Sequence, residues 1–504
     1  MYNSTNRNTL RPFLAAILIT TCCRAGWANS AGVFADYHLQ RRITSIILQY
    51  RQASHAEVGL HVINLTDGRT LCDIDADKLM IPASNAKILT SAIALKRLGR
   101  NFEFSTKLAI HGDDLVVIGD GDPATGDPRL ARQRNKTIYT TFDDWAKILK
   151  ERNIEQIKGN LVIQAGIYQP PYVNKTWPRD QLHKWYSAPV AGVNFNDNCF
   201  DIGFDVQDNR ARPIISPMSR FIRIDCSVRR GRRNIWACLL NESNTLIKLR
   251  GTVRADMRSP LPVAIKNPPM LFATVLADRL TRAGIEINGK ILISHRWPID
   301  DSGYEIIATS RTPLADAIWR ANKQSLNMMA ECLFLRSSAT DKSPANWKRA
   351  ARLARKTLIE DFRINPQQFV IVDGSGLSRQ NRATPAAITS LLYQLRKDKL
   401  FIRSLPTAGI DGTLRRRFHK SRCKGRIIAK TGSLYRVSAL SGYVIDKKGN
   451  PSIAFSIIVN GSTRGKNYNA RKMQEEICKL LIQAVDGKER SAAKPVRQKS
   501  RIVK

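Results

Sequence analysis

Three short stretches hold side chains whose types and spacing could do covalent chemistry. In Ser84-Asn85-Ala86-Lys87 a serine opens an apolar run and a lysine follows three residues later. On a helix that spacing puts both on one face, so the amine can take the hydroxyl proton and leave a nucleophile. Ser-x-x-Lys by itself is more often a helix cap with a solvated lysine, but the run beyond Lys87 is too apolar for a surface helix. Lys323-Gln324-Ser325-Leu326-Asn327 falls at a break between two helical segments, where a hydroxyl and an amide can point into a cleft; its ordinary reading is another cap. Lys430-Thr431-Gly432-Ser433 closes a strand, where the glycine lets a substrate backbone lie alongside the edge and the lysine adds positive charge; its ordinary reading is a hairpin rim.

These stretches need elements to hold them. A first helix is expected over Asp36 to Arg51, with Ile43, Ile46, Ile47 and Tyr50 on one stripe. Two antiparallel strands, Val58 to Asn64 and Thr70 to Ile74, should flank the Asp67-Gly68 turn. The helix carrying Ser84 and Lys87 should stop at Gly99. From Arg100 to about Trp297 the texture turns to short strands and Gly-Asp-Pro clusters, which reads as an insertion. Within it Ile154 to Ile163 echoes Ile285 to Ile293, either as a repeated unit or by chance. Helices are expected from the N-cap Thr312 with Pro313 to Ala321, over Leu326 to Leu335, and from Thr384-Pro385. Strands follow at Arg426 to Lys430, Ser438 to Ile445 and Ile453 to Val459, then a closing helix over about Tyr468 to Val485.

The ordered set Ser-x-x-Lys, Ser-x-Asn, Lys-Thr-Gly resembles the acyl-transfer signature of penicillin-recognising serine enzymes. Asp373-Gly374-Ser375-Gly376-Leu377-Ser378-Arg379, Pro406 to Leu414, and Ser187 to Val190 beside Asn196 to Cys199 narrow the resemblance to the low-molecular-mass class C penicillin-binding proteins. These are D-alanyl-D-alanine carboxypeptidases and endopeptidases, and the similarity spans about Asp36 to Val485. It implies an α+β fold: a transpeptidase/β-lactamase-like domain, an antiparallel sheet flanked by helices, split over 36–99 and 300–486. Residues 100–299 would form one or two mainly β inserted domains, the large insertion that marks the subfamily.

The resemblance also implies roles. Ser84 attacks the penultimate D-alanine carbonyl, Lys87 accepts its proton, Ser325 and Asn327 relay protons and hold the peptide, and Lys430 orients it. Thr431, Gly432 and Ser433 line the substrate, with the Ser84 and Ser433 N–H groups as oxyanion hole. Arg379 suits a carboxylate such as that of diaminopimelate, and Asp180, near Tyr186, would match an ammonium. Tyr435 is bulky where some relatives carry an amide. Lys430 and burial together are expected to lower the Lys87 pKa. Peptidoglycan peptides are the implied partners, β-lactams the covalent inhibitors, and no cofactor is implied. A β-lactamase is the competing enzyme, but only Glu331 and Glu360 lie between Ser325 and Lys430, and neither begins Glu-x-x-Leu-Asn. Penicillin should therefore deacylate slowly. A Ser-His-Asp hydrolase is disfavoured because Asp373 stands where a Gly-x-Ser-x-Gly elbow around Ser375 needs its first glycine.

Of 504 residues, 81 are Lys or Arg and 42 Asp or Glu, a net charge of +39. Such a balance favours polyanions and says nothing about fold. A binding protein with a vestigial site is thus the alternative from another class, but no zinc finger, RNA-stacking motif or helix-turn-helix pattern stands out, so no nucleic acid is expected. Arg7 and Arg11 precede the apolar run Phe13 to Ile19 and small residues at Gly26, Ala28 and Ser30, the pattern of a cleaved leader over 1–30. The run is too short to span a bilayer, and Thr21 before Cys22 is a poor lipidation site. An exported, periplasmic protein is expected, with the basic tail 487–504 disordered and suited to an anionic membrane or glycolipid surface. Nine cysteines include Cys22 and Cys23 in the leader, leaving an odd number, with Cys226 and Cys238 the pair best placed to bond. Cys-x-x-Cys and His-Glu-x-x-His spacings are absent, so no metal is expected.

Overall fold

The computed structural model describes residues 36–298, 302–418, 421–462 and 468–492. The leader, and the tail beyond Ala492, lie outside them. The strand Val437–Ile445 is buried at every position, the pattern of a strand covered on both faces. It belongs to a five-stranded antiparallel sheet in the order Ile427–Leu434, Val437–Ile445, Pro451–Asn460, Glu57–Asn64, Thr70–Ile74. The helix over 36–54 and Tyr468–Ala492 pack on one face around Ile43, Ile47, Phe455, Ile477 and Leu481. Ala86–Leu98, Asn327–Arg336 and Pro385–Leu395 fill the other. Every residue from Ala86 to Leu95 is buried, so the apolar run beyond Lys87 forms a central helix, and it stops at Gly99 with φ 85°.

The chain between Glu103 and Pro313 forms two further sheets of five and six strands. One has five strands in the order Ile291–Ser294, Leu161–Gln164, Asp114–Gly119, Glu103–His111, Glu305–Pro313. The other has six, in the order Ile235–Leu240, Leu246–Val253, Arg223–Arg230, Arg210–Ser216, Cys199–Gln207, Met257–Ala264. The echoing stretches are neighbours: Gln156–Ile157 pairs in parallel with Glu286–Ile287, and Leu161–Gln164 with Ile291–Ser294. Each follows a helix, Thr140–Glu151 or Pro268–Arg282, so helix-turn-strand units lie side by side.

Several expectations change. The helix expected from Thr312 and Pro313 starts one residue later, as Leu314–Lys323 with Pro313 as its N-cap, because Glu305–Pro313 pairs with Glu103–His111 and the Thr312 hydroxyl donates to buried Asp122 at 2.9 Å. The closing helix runs to Ala492, past residue 487 at which the tail was expected to begin; Lys, Glu, Arg and Ala all favour helix. Cys226 and Cys238 do not face each other across a hairpin. Leu246–Val253 lies between their strands and its Leu249 pairs with both, which separates them by two strand spacings, about 10 Å and beyond disulfide reach. The seven described cysteines are all free thiols.

Candidate active site

Ser84 sits on the 3₁₀ turn Ala83–Asn85, immediately before the central helix. Ala83 has φ 47°, a left-handed conformation that a non-glycine residue holds only when its surroundings impose it. Those surroundings are specific. Asn460 at the end of its strand accepts from the Ile81 N–H at 2.8 Å and donates to the Ile81 carbonyl at 3.1 Å. Asn85, inside the Ser-x-x-Lys stretch, donates to Ser441 Oγ at 2.6 Å and so ties the turn to the sheet. Gly432 stands against the same turn: a Cβ there would lie 2.8 Å from the Pro82 carbonyl oxygen. The glycine thus lets its own strand approach the serine.

Lys87 is completely buried. Its Nζ donates to Ser84 Oγ at 3.1 Å, to Asn327 Oδ1 at 2.6 Å and to the Ser375 carbonyl at 2.8 Å, which uses all three of its donors. Burial lowers its pKa to about 7, against the opposing attraction of Glu331 and then Asp373. Lys430, also fully buried, donates to Ser325 Oγ at 2.8 Å and to the Thr431 carbonyl at 2.9 Å. Its pKa is well below the usual lysine value, through burial first and the charge of Lys87 second. The repulsion between the two amines is therefore felt at Lys430, while burial depresses Lys87.

Ser325 has φ 60° at the break between Leu314–Lys323 and Asn327–Arg336. Lys323 pins that break by donating to the Leu405 carbonyl at 2.5 Å and pairing with Asp411 at 2.7 Å, which places Pro406 to Leu414 beside it. Thr413 and Thr431 share a hydroxyl hydrogen bond of 2.7 Å. Asn327 donates to the Tyr186 carbonyl at 2.7 Å, so the insertion supplies part of the wall.

Ser84, Ser325, Asn327, Thr431, Gly432 and Ser433 line one cleft of about 860 Å³, with Lys87 and Lys430 buried behind its serines. Asp180 and Arg379 are not among its lining residues. Asp180 is exposed on the turn Arg179–Gln181, of which Gln181 lines the cleft, as do Trp185 and Tyr186. Arg379 is exposed and donates to the Tyr435 carbonyl at 3.0 Å, over the end of the Lys430 strand.

Sequence reasoning weighed Glu331 only as a deacylating base and missed its structural part. Its carboxylate accepts from the Gly374 N–H at 2.7 Å and the Ser375 N–H at 2.8 Å, fixing the loop whose carbonyl receives Lys87. Burial, then Asp373, raises its pKa to about 8 against the pull of the Ser375 and Gly374 bonds. Asp373 caps the same loop, accepting from the Gly376 and Ser378 N–H groups at 2.8 and 2.6 Å and from Trp177 Nε1 of the insertion at 2.9 Å. Gly376 has φ 80°, and a Cβ there would strike the Ala83 carbonyl oxygen at 1.9 Å, so the loop needs glycine to lie against the serine turn. One acid in the otherwise apolar stretch Met328 to Leu335 was the signal available for Glu331.

The comparisons agree with this geometry. The chain is 27% identical over 427 residues to the D-alanyl-D-alanine carboxypeptidase DacB of Haemophilus influenzae, covering 81% of this chain and 86% of that one. It is 26% identical over 446 residues to the D-alanyl-D-alanine carboxypeptidase of an Actinomadura species, covering 82% and 80%. The fold is that of the penicillin binding protein 4 crystal structure from Haemophilus influenzae, with a TM-score of 0.73 at 24% identity, covering 87% of this chain and 99% of that one. The family model for D-Ala-D-Ala carboxypeptidase 3 (S13) matches residues 39–483, a span that takes in the serine turn, the Ser325 break, the Lys430 strand and the whole insertion. With its three elements converging on one cleft, the chain belongs to that D-Ala-D-Ala carboxypeptidase family.

Proposed function

We propose that this chain is an exported serine D-alanyl-D-alanine carboxypeptidase and endopeptidase of the periplasm, acting on peptidoglycan stem peptides through a Ser84 acyl-enzyme. The observation that carries the reading is the contact of a fully buried Lys87 amine with Ser84 Oγ at 3.1 Å, with the amine's pKa lowered to about 7. A neutral amine at that distance takes the hydroxyl proton as Oγ attacks the penultimate D-alanine carbonyl. The Ser84 and Ser433 N–H groups stabilise the oxyanion. Ser325, polarised by Lys430, passes a proton to the leaving amine, and Asn327 holds Lys87 in register. Thr431 and Thr413 offer hydroxyls to the terminal carboxylate. Water then releases the acyl group.

The described lining of the cleft has no carboxylate to activate that water, and Glu331 is committed to the Gly374 and Ser375 N–H groups. This supports penicillin as a slowly released acylating inhibitor rather than a substrate. No helix among the described residues is long and apolar enough to cross a membrane.

Release of free D-alanine from an N-acylated peptide ending in D-Ala-D-Ala, followed against pH, tests the reading. The active form has neutral Lys87, so the rate should rise through about pH 7 and level off above it. A protein that releases no D-alanine, or one whose rate still climbs towards pH 10, the ordinary lysine range, contradicts it.

A further inference from the structure

The insertion grips the Ser325 break from both sides. After the break, Asn327 donates to the Tyr186 carbonyl at 2.7 Å. Before it stands Arg320, whose side chain is almost wholly buried on the helix Leu314–Lys323. Its guanidinium donates to Asp127 at 2.6 Å and to Asp197 at 2.8 Å, two carboxylates of the insertion, and to Gln324 Oε1 at 3.4 Å. Gln324 lines the cleft. The Arg320 carbonyl in turn accepts from the Gln324 and Leu326 N–H groups at 3.4 and 3.5 Å, so the residues on either side of Ser325 fold back onto one arginine.

The turn that carries Asp197 is held in place just as firmly. Asn196, Asp197 and Asn198 have φ 52°, 54° and 52°, three successive left-handed residues without a glycine, a conformation that persists only where neighbours impose it. Asn198 accepts from the Phe195 N–H at 3.1 Å and donates to the Pro189 carbonyl at 2.8 Å. Pro189 lies three residues beyond Tyr186. One stretch of the insertion, 186–198, thus meets both flanks of Ser325, whose own φ of 60° needs such support.

We propose that Arg320 is a positioning residue for proton delivery: held by Asp127 and Asp197 of the insertion, it aims the Ser325 hydroxyl at the leaving nitrogen. This rests on the D-Ala-D-Ala reading of the same site. As the C–N bond breaks, Ser325 gives its proton to the departing nitrogen and takes the one that Lys87 removed from Ser84. An amine cannot leave as its anion, whereas a thiolate leaves unprotonated, so the role has a signature in the leaving group.

The test uses the mature protein and two substrates with the same acyl half, a peptide ending in D-Ala-D-Ala and a thioester with a thiol leaving group. Arg320→Lys keeps the charge and loses the planar fork. In that variant the ratio of kcat/KM for the peptide to that for the thioester should fall about tenfold, part of the 10²- to 10⁴-fold that a positioned acid or base contributes. Asp197→Gly should lower the ratio in the same direction. Glycine adopts φ 54° freely, so only the carboxylate is lost and the Asp127–Arg320 pair remains to hold the fold. A variant that merely folds less well loses active protein on both substrates alike and keeps the ratio. Arg336→Lys alters another ion pair of the insertion, with Asp120 at 2.7 Å, at the far end of the helix that Asn327 begins, and should keep the wild-type ratio. Ser325→Ala should lower the ratio at least as far as Arg320→Lys does, and adding Arg320→Lys to it should lower the ratio no more.

An unchanged ratio in Arg320→Lys and Asp197→Gly, the same fall in Arg336→Lys, or a further fall when Arg320→Lys is added to Ser325→Ala overturns the proposal. Ser325→Ala separates the levels. If it lowers the ratio and the Arg320 and Asp197 variants do not, only the positioning role is lost. If it leaves the ratio unchanged, Ser325 is not the proton donor and the positioning role falls with that step. Wild-type protein that cleaves neither substrate loses the acyl-enzyme reading itself.

Discussion

A Lys87→Ala variant is expected to acylate about 10³- to 10⁴-fold more slowly than wild type, the span that a positioned general base contributes. The argument is geometric before it is electrostatic. Among the described residues Nζ is the side-chain nitrogen within hydrogen-bonding distance of Ser84 Oγ, and burial lowers its pKa to about 7, so that a large share is neutral where an ordinary lysine would be a cation. Lys87→Arg should not rescue the rate, because a guanidinium stays protonated and is a poor proton acceptor. Stopped-flow acylation by a chromogenic β-lactam measures both variants, and loss of less than tenfold in Lys87→Ala would remove the lysine from the proton path. The alanine variant also strands the Asn327 and Ser375 oxygens that Lys87 now satisfies. A thermal melt should accompany the kinetics, so that slow chemistry is not confused with a loosened site.

Glu331→Ala should be among the most destabilising single changes near the cleft, at about 3–5 kcal/mol, since it leaves two buried N–H groups without their acceptor and breaks a buried charge network. Glu331→Gln keeps one acceptor oxygen and most of the volume, so it should fold with a smaller loss, about 1–3 kcal/mol. The glutamine variant carries the more informative readout. Glu331, its own pKa raised to about 8, is largely protonated where Lys87 titrates near 7, and a neutral glutamine mimics that form. The rising limb of the acylation profile should therefore stay near its wild-type position in Glu331→Gln. A limb moved to lower pH would mean that an ionised Glu331 holds the Lys87 pKa up, and would contradict a neutral acid at this position.

The parts of the site that could be read from the sequence are those in which neighbours along the chain are neighbours in space. Ser84 and Lys87 are one helical turn apart, and Lys430 to Ser433 share one strand, so their spacing alone describes their relation. The apolar run after Lys87 foretold its burial, and that burial is the cause of the lysine's lowered pKa. What spacing does not carry is contact between distant segments. The Glu331 clamp on Gly374 and Ser375, the Asn85–Ser441 tie and the Asn460 grip on Ile81 each join residues from different elements, and none of these side chains belongs to a motif as an acting member.

One misreading and one shifted boundary have the same origin. Cys226 and Cys238 flank a turn, and a hairpin was the local solution, but Leu246–Val253 enters between their strands from later in the chain. Thr312-Pro313 has the local form of a helix start, and a helix does begin beside it at Leu314, but pairing with Glu103–His111 carries the strand through Pro313 and moves that start along. Tertiary pairing outweighed local preference in both. The echo of Ile154 to Ile163 in Ile285 to Ile293 could be seen in sequence because both copies solve the same local problem, a strand that follows a helix, and they meet in parallel in one sheet.

The account's central claim is that Ser84 is acylated. Incubation of the mature protein with a penicillin, followed by intact mass over time and peptide mapping, tests it most directly, with Ser84→Ala alongside. The account predicts an adduct of one penicillin per chain on the peptide containing Ser84, lasting well beyond its formation, and none on folded Ser84→Ala. An adduct that the alanine variant also forms, or no adduct on folded wild-type protein, would contradict it.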